Sequence, residues 1–404
     1  MTTHLEPSDP LSSVDVVAVG ARSGLLWRSP EVVLAGLGNR TEIDLALSGT
    51  VADAQRALAD MAGADPVSRP GTGPVGFASL DFDVDRPGRA FVPDVVLGES
   101  EGVRFITVLS GSLNSAREHV DAALSRPFAP KPTTVQLLLD RTAESFRDDV
   151  VAVARDTISR SGLEKVVMSR ALTLKASSVF DSGRIVELLA ERFRSAFLFS
   201  VDDFVGASPE LLVSRRDRTV RAHPLAGTAS RLDDPVADAA EIESLLASSK
   251  DRVEHRITID WLLAELLAFS SYVDAEPEPS VLTLENVHHL GTLVEGVLSE
   301  PPASVLELVQ ALHPTPALGG RPREDALALI AEIEGYDRKR YGGPTGWFDG
   351  DGNGQFAVSV RTAQIDGATA RIAAGGGVVA QSDPQSELIE TQAKFRAMLG
   401  SFLP

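Results

Sequence analysis

Between Ala143 and Ser159 the apolar residues Phe146, Val150, Val153, Ala154 and Ile158 recur at helical spacing, which predicts an amphipathic helix. The period then changes. Lys165 to Leu174 is a largely apolar run rich in β-branched residues and reads as a strand. A helix follows near Gly183 to Arg194, then strands over Ala196–Val201 and Leu211–Ala222. A long helical pattern covers Pro235 to Phe269, and further strands lie near Val281–Val297 and from Gly346 to Ala380. Ahead of all this, residues 1–134 mix short β-rich runs, Val16–Val19 and Val103–Leu109, with loops of Gly, Pro and Asp. The stretch 126–134, RPFAPKPTT, reads as a linker. It divides a β-rich half, residues 1–134, from a catalytic domain, residues 135–404, on which that half packs. Grouped strands and grouped helices predict an α+β fold with large antiparallel sheets flanked by helices. There is no internal repeat and no low-complexity tract.

The last helical segment carries the densest chemistry. Asp383 precedes Pro384 and is placed as an N-cap, with the helix running on to Gly400. Glu387 and Glu390 then share one face, and Lys394 lies one turn beyond Glu390. Just upstream, Ala374-Gly375-Gly376-Gly377 lets a ligand approach the backbone. Carboxylates, a cation and open amides in one stretch suit a site that holds a metal and an anion together. Alone, the same pattern also describes an exposed, salt-bridged helix.

Three clusters upstream change that balance. Lys165 opens an apolar strand, either as a solvated strand end or as a partly desolvated amine able to act as a base. Glu210, in Gly206-Ala-Ser-Pro-Glu-Leu-Leu212, sits between a tight turn and an apolar strand. It is a surface Glu at a strand start or a buried, protonated acid. Glu254, in Lys250-Asp-Arg-Val-Glu-His255, belongs to a charged helix face or supplies the further oxygen ligand that Mg²⁺ would need beside Glu387 and Glu390.

Composition narrows the classes. The 404 residues are 43% hydrophobic and 24% charged, ordinary for a globular enzyme with a large core. The absence of cysteine removes disulfides, thiolate catalysis and Cys-type zinc sites. A net charge of −19 opposes nucleic acid and anionic membranes as partners. No apolar run is long enough to span a bilayer, and MTTHLEPSDPLSSVD is not a secretory signal, so the expected location is cytoplasmic. An anionic substrate would need a locally positive or metal-loaded pocket.

Two other motifs fail on context. Asp349-Gly-Asp-Gly-Asn-Gly354 copies half a calcium loop, but position twelve is Val360 and the flanks read as strands. A hairpin turn is expected there. Gly375-x-Gly377-x-x-Ala380 imitates a dinucleotide fingerprint, but Val378-Val379 continue a strand where a helix should begin.

In register, these clusters resemble the chorismate-utilising enzymes, and among them the isochorismate synthases. The resemblance spans about residues 140–404. It is carried by Lys165-Val-Val-Met-Ser-Arg170, Gly206–Leu212, Pro224-Leu-Ala-Gly-Thr228, Lys250–His255 and His288-His-Leu-Gly-Thr292. It continues through Leu312–Gly320, Tyr341-Gly-Gly343, Val360-Arg361, Ala374–Gly377 and Glu387-x-x-Glu390-x-x-x-Lys394. It implies an anthranilate synthase component I-like fold and the substrate chorismate. Isochorismate forms when water adds at C2, the double bonds shift and the 4-hydroxyl leaves. The resemblance gives Lys165 as base and Glu210 as acid. It gives Mg²⁺ on the ring carboxylate, held by Glu254 and Glu390 with Glu387 directly or through water. Arg361, Tyr341 and the Gly375 to Gly377 amides would take the enolpyruvyl carboxylate. Gly227, Thr228, His289, Ala317, Leu318 and Lys394 would line the substrate. By the same resemblance, aminating relatives lack a Lys at position 165, and salicylate synthases carry Thr where Ala317 stands. The expectation is a monomeric isomerase with no obligatory amidotransferase subunit. Salicylate synthase is the alternative, and a silent chorismate-binding or subunit-interaction protein is opposed by the intact Lys165, Glu210, Glu254 and Glu390. Isochorismate feeds both menaquinone and siderophore biosynthesis.

Overall fold

In a computed structural model, which describes residues 1–63 and 65–403, the apolar runs pair into antiparallel sheets. Among the described residues nineteen strands form one hydrogen-bonded network, and three more form a small separate sheet. The long strand Gly88–Ser100 is a junction, because it pairs with Val32–Leu45 and also, at Ala90 and Phe91, with Val75–Ser79. From Val32–Leu45 one sheet runs through Leu25–Arg28, Phe197–Val201, Phe204–Ser208, Thr362–Asp366 and Thr369–Val378 to Lys165–Ala176. From Val75–Ser79 the other runs through Pro344–Asp349, Gly354–Val358, Leu211–Arg216 and Thr219–His223 to Val294–Leu298. Side chains of both sheets meet in one aromatic core, with Trp27, Phe77, Phe199, Phe204 and Trp347 all buried. Removing one such ring costs about 3–5 kcal/mol. Strands from before and after the 126–134 stretch are therefore neighbours in one network.

Helices cover the outer faces. Ser182–Arg192 and Pro384–Leu399 pack on the first sheet through Ile185, Leu189, Phe395 and Met398. Ser249–Leu267 and Val305–Leu312 join the largest core through Ile259, Leu262, Leu308 and Val309. The architecture is α+β with antiparallel sheets flanked by helices. The predicted segment from Ala143 is helical to Ile158, with a wider π turn at Phe146–Val151.

Local expectations fail in three places. Val16–Val19 opens the helix Val16–Ser23 rather than a strand. Asp15 caps it by accepting from Val17 N and Ala18 N, and Val16, Val19 and Ala21 are buried, so capping and packing outweigh β propensity. The pattern over Pro235 to Phe269 is two helices, Pro235–Ala247 and Ser249–Leu267. Ser248 leaves helical geometry at ψ 113° and its hydroxyl accepts from Asp251 N, capping the second helix. Leu211–Ala222 is a hairpin with Asp217 at φ 52° in its turn. The Asp349 loop is the expected hairpin turn, with the Asp349 carboxylate accepting from Asp351 N and Asn353 N.

Candidate active site

The candidate side chains converge where the strands Lys165–Ala176 and Thr369–Val378 meet the helices Ser249–Leu267 and Pro384–Leu399. The capped C-terminal helix forms as the sequence predicts, with Asp383 accepting from Ser386 N at 2.8 Å. Its apolar side is held by Leu388, Phe395 and Met398, which turns Glu387 and Glu390 inward. Across the gap, Glu254 and Thr258 lie one turn apart on a buried helix face.

One cavity gathers most of the expected residues. Glu210, Gly227, Thr228, Glu254, His289, Ala317, Leu318, Tyr341, Arg361, Gly375, Gly377, Glu390 and Lys394 all line it, together with Val167 and Gly376. Lys165 and Glu387 are absent from that lining. Its volume is about 60 Å³. A larger cavity, about 600 Å³, lies behind the helix Ser249–Leu267 at Arg252, Arg256 and Glu278, away from these groups.

At one end stands Glu210. Ser208 donates to Val358 O at 2.6 Å, and Ser208 Oγ accepts from Glu210 N at 3.2 Å, which fixes the turn. Glu210 is buried and its Oε1 has no partner. Burial pushes its carboxyl up to about 7, against the opposing pull of the Leu225 amide and of Lys165, Lys394 and Arg361. A group in that state can donate a proton near neutrality.

Arg361 is held in a left-handed backbone conformation, φ 56°, a strained state for a non-glycine residue. Its guanidinium donates to His289 Nε2 at 3.1 Å. That contact makes Nε2 an acceptor and puts the ring proton on Nδ1, which donates to Gly227 O at 3.3 Å. Burial, reinforced by Arg361, drives the imidazole well below its usual range, so His289 is neutral. Gly227 sits at φ 83°, and a Cβ there would come within 3.0 Å of Asp251 Cβ. Burial raises the Tyr341 phenol to about 12, keeping it protonated.

At the opposite end the carboxylates surround Gly376 and Gly377. A Cβ on Gly376 would come 3.0 Å from Glu387 Oε2 and 3.4 Å from Glu390 Oε1, and one on Gly377 would collide with Glu254 Oε1. Each carboxylate faces an ammonium. Lys165 Nζ is 3.1 Å from Glu254 and 3.5 Å from Thr258 Oγ1, with its side chain fully buried. Lys250 Nζ is 2.8 Å from Glu387. Lys394 pairs with Glu390 and donates to Gly375 O at 2.7 Å. Burial raises Glu387 to about 7, helped by the Glu390 charge and opposed by Lys250. Burial also pushes Glu390 up, but Lys394, Lys250 and Thr228 together outweigh it and the carboxyl ends below its usual value.

Among the described residues no three His, Asp or Glu side chains stand close enough to form a ready metal cluster. The donor chemistry nevertheless suits a hard divalent cation, since all donors are oxygens and Glu387 Oε2 is buried without a partner.

Sequence reasoning gave no role to two sets of residues. Lys250 was one, although it stands one helical turn before Glu254 on the same helix. The other is a buried network. Arg338 donates to Glu334 at 2.7 Å, to Val167 O at 2.7 Å and to Leu318 O at 2.8 Å, while Ser169 Oγ donates to Glu334 at 2.6 Å. It ties the Leu318 loop to the Lys165 strand. The only local signal was an i,i+4 charge pair.

The chain matches the family described as chorismate binding enzyme over residues 1–403. It is 34% identical over 365 residues to the isochorismate synthase DhbC of Bacillus subtilis, covering 87% of this chain and 85% of that one. It is 32% identical over 333 residues to a vibriobactin-specific isochorismate synthase of Vibrio cholerae, covering 81% and 79%. The solved structure of MenF, the menaquinone-specific isochorismate synthase from Escherichia coli, superposes with a TM-score of 0.81 over 100% of this chain and 94% of that one. At 24% identity that likeness speaks for the fold alone.

Proposed function

Because this chain belongs to the chorismate binding enzyme family, with isochorismate synthases as its relatives, we propose that it is an isomerase converting chorismate to isochorismate with Mg²⁺ as cofactor. The observation that carries the reading is Glu210, a buried carboxyl with an unpartnered oxygen, pushed up to about 7 inside the shared pocket.

A hydroxyl leaves poorly unless protonated, and Glu210 gives its proton to the 4-hydroxyl, which departs as water. The attacking water gives up a proton to Lys165 as its oxygen bonds to C2. Water in and water out balance, so the net change is an isomerisation. General acids and bases each contribute roughly 10²–10⁴-fold. Lys165 is pinned against Glu254 here, so its part as base requires that contact to open. Arg361, aimed by neutral His289, grips the enolpyruvyl carboxylate in a two-pronged contact. Tyr341 and the Gly375 and Gly377 amides complete that side, and Gly227, Thr228 and Lys394 line the ring. Glu254, Glu387 and Glu390 would hold Mg²⁺, which supplies charge compensation and orientation to the ring carboxylate. Ala317 leaves space for the water beside C2. The enzyme acts as a monomer in the cytoplasm, without an amidotransferase subunit. No helix among the described residues is long and apolar enough to cross a membrane.

The test is incubation with chorismate, with and without Mg²⁺, and chromatographic identification of the products. Isochorismate as the main early product supports the reading. Conversion of chorismate to salicylate and pyruvate at the rate of chorismate loss overturns it.

A further inference from the structure

A second cavity borders the carboxylate end of the pocket. Its volume is about 380 Å³, and its walls include Glu241, Ser248, Lys250, Asp251, Glu387 and Glu390. It shares Thr228 and Glu390 with the pocket of Glu210 and Arg361. Four carboxylates and one ammonium line this cavity, so as a passage it would favour a cation over an anionic substrate.

The three ammonium groups at the carboxylates are not equally free to leave. Lys165 is fully buried. Lys394 is tethered by its bond to Gly375 O as well as by Glu390. Lys250 stands in the passage with its side chain 27% exposed, and it contacts Glu387 through Oε1 only. Glu387 is 2% exposed, and its Oε2 has no partner. A single ammonium on a flexible stem therefore compensates a desolvated carboxylate that retains an unused oxygen.

We propose that Lys250 is an exchangeable counter-ion, holding Glu387 in the place of a divalent cation that comes in through this passage and must displace it. The proposal rests on the metal assignment made above. The Lys250 stem can swing toward the open cavity and water, which the stems of Lys165 and Lys394 cannot do without breaking buried contacts. Lys250 then sets a threshold, keeping the carboxylates ordered without metal and making the cation compete for them.

The measurement is Mn²⁺ binding without chorismate, followed by the electron paramagnetic resonance signal of the free ion. Wild type is compared with Lys250→Gln, with Lys250→Met as a second neutral variant, with Lys250→Arg, and with Arg252→Gln. Arg252 lies two residues on but pairs with Glu278 at 2.8 Å, outside the passage. Melting curves confirm that each variant is folded. The neutral Lys250 variants should bind Mn²⁺ about tenfold more tightly, the scale of one unit charge near a partly buried site. Lys250→Arg and Arg252→Gln should stay within about twofold of wild type. Wild-type or weaker affinity in both neutral Lys250 variants overturns the exchange. Equal tightening in Arg252→Gln also overturns it, since net charge alone would then be responsible. If wild type and every variant take up no Mn²⁺, the metal assignment itself falls, which is a different result from unchanged affinity.

Discussion

At one end of the pocket Glu210 stands without a partner on Oε1, and at the other Glu254, Glu387 and Glu390 each face a lysine. Burial acts on both ends. At Glu210 it outweighs the Leu225 amide and the nearby cations, and the carboxyl rises to about 7. At Glu390 Lys394, Lys250 and Thr228 together outweigh it, and the carboxyl falls below its usual value. Glu387, lysine-paired on one oxygen only, is raised to about 7 as Glu210 is. The same side chain is thus prepared as a proton donor or as an anionic ligand by what stands within about 3 Å of it.

Substitutions separate the two ends most sharply. Glu210→Gln and Lys165→Ala should each lower kcat by about 10²–10⁴-fold, while Glu210→Gln still binds chorismate. Turnover within threefold of wild type would remove that residue from the chemistry. At the carboxylate end, Glu390→Gln or Glu254→Gln should weaken Mg²⁺ binding by about 10–100-fold, and excess Mg²⁺ should restore part of the activity. A Glu210→Gln defect that added Mg²⁺ also repaired would erase the distinction. Full turnover after exhaustive chelation would remove the metal end from the account.

A pH profile comes next. On the proposed mechanism Glu210 acts while protonated, so kcat/KM should fall as pH rises through about 7, approaching tenfold per pH unit. A profile flat from pH 7 to 9 would mean that another group donates. A smaller effect is expected from Ala317→Thr, which on the proposed mechanism would crowd the water side of C2. It should lower isochorismate formation several-fold, and the isochorismate-to-salicylate ratio over time records any shift in product.

The smallest effect concerns stability. Glu210 is raised from 4.5 to about 7 in the folded chain. Between those values the native state holds a proton that the unfolded chain has lost, so stability declines as pH rises through that window and the penalty is complete above about 7. Glu210→Gln should therefore melt higher than wild type at pH 8, by on the order of 2 kcal/mol, with little difference at pH 4. A lower melting point at pH 8 would contradict the burial cost.

The sequence made one end of this pocket easier to read than the other. Glu387, Glu390 and Lys394 are spaced by a single helix, so their common face follows from its period. Lys165 was legible as a residue on an apolar strand, but its contact with Glu254 joins positions that only tertiary packing brings together. The neutral state of His289 depends on its burial and on Arg361, 72 residues away, and no local pattern encodes either. The same limit explains the fold errors. Val16–Val19 looks like strand by residue type, and Asp15 with the buried helix face decides otherwise.

The pairing of Val75–Ser79 with Pro344–Asp349 has a consequence for how the chain is made. Ser79 and Thr345, bonded at 2.7 Å, are separated by 266 residues. During synthesis the early strand leaves the ribosome long before its partner exists, at roughly 5–20 residues per second. For those tens of seconds its edge is an open template, and the central layer can close only when nearly the whole polypeptide is present. Production in a heterologous host should therefore be limited by that waiting period, with chaperone supply and a slower rate of synthesis raising yield more than changes around the pocket.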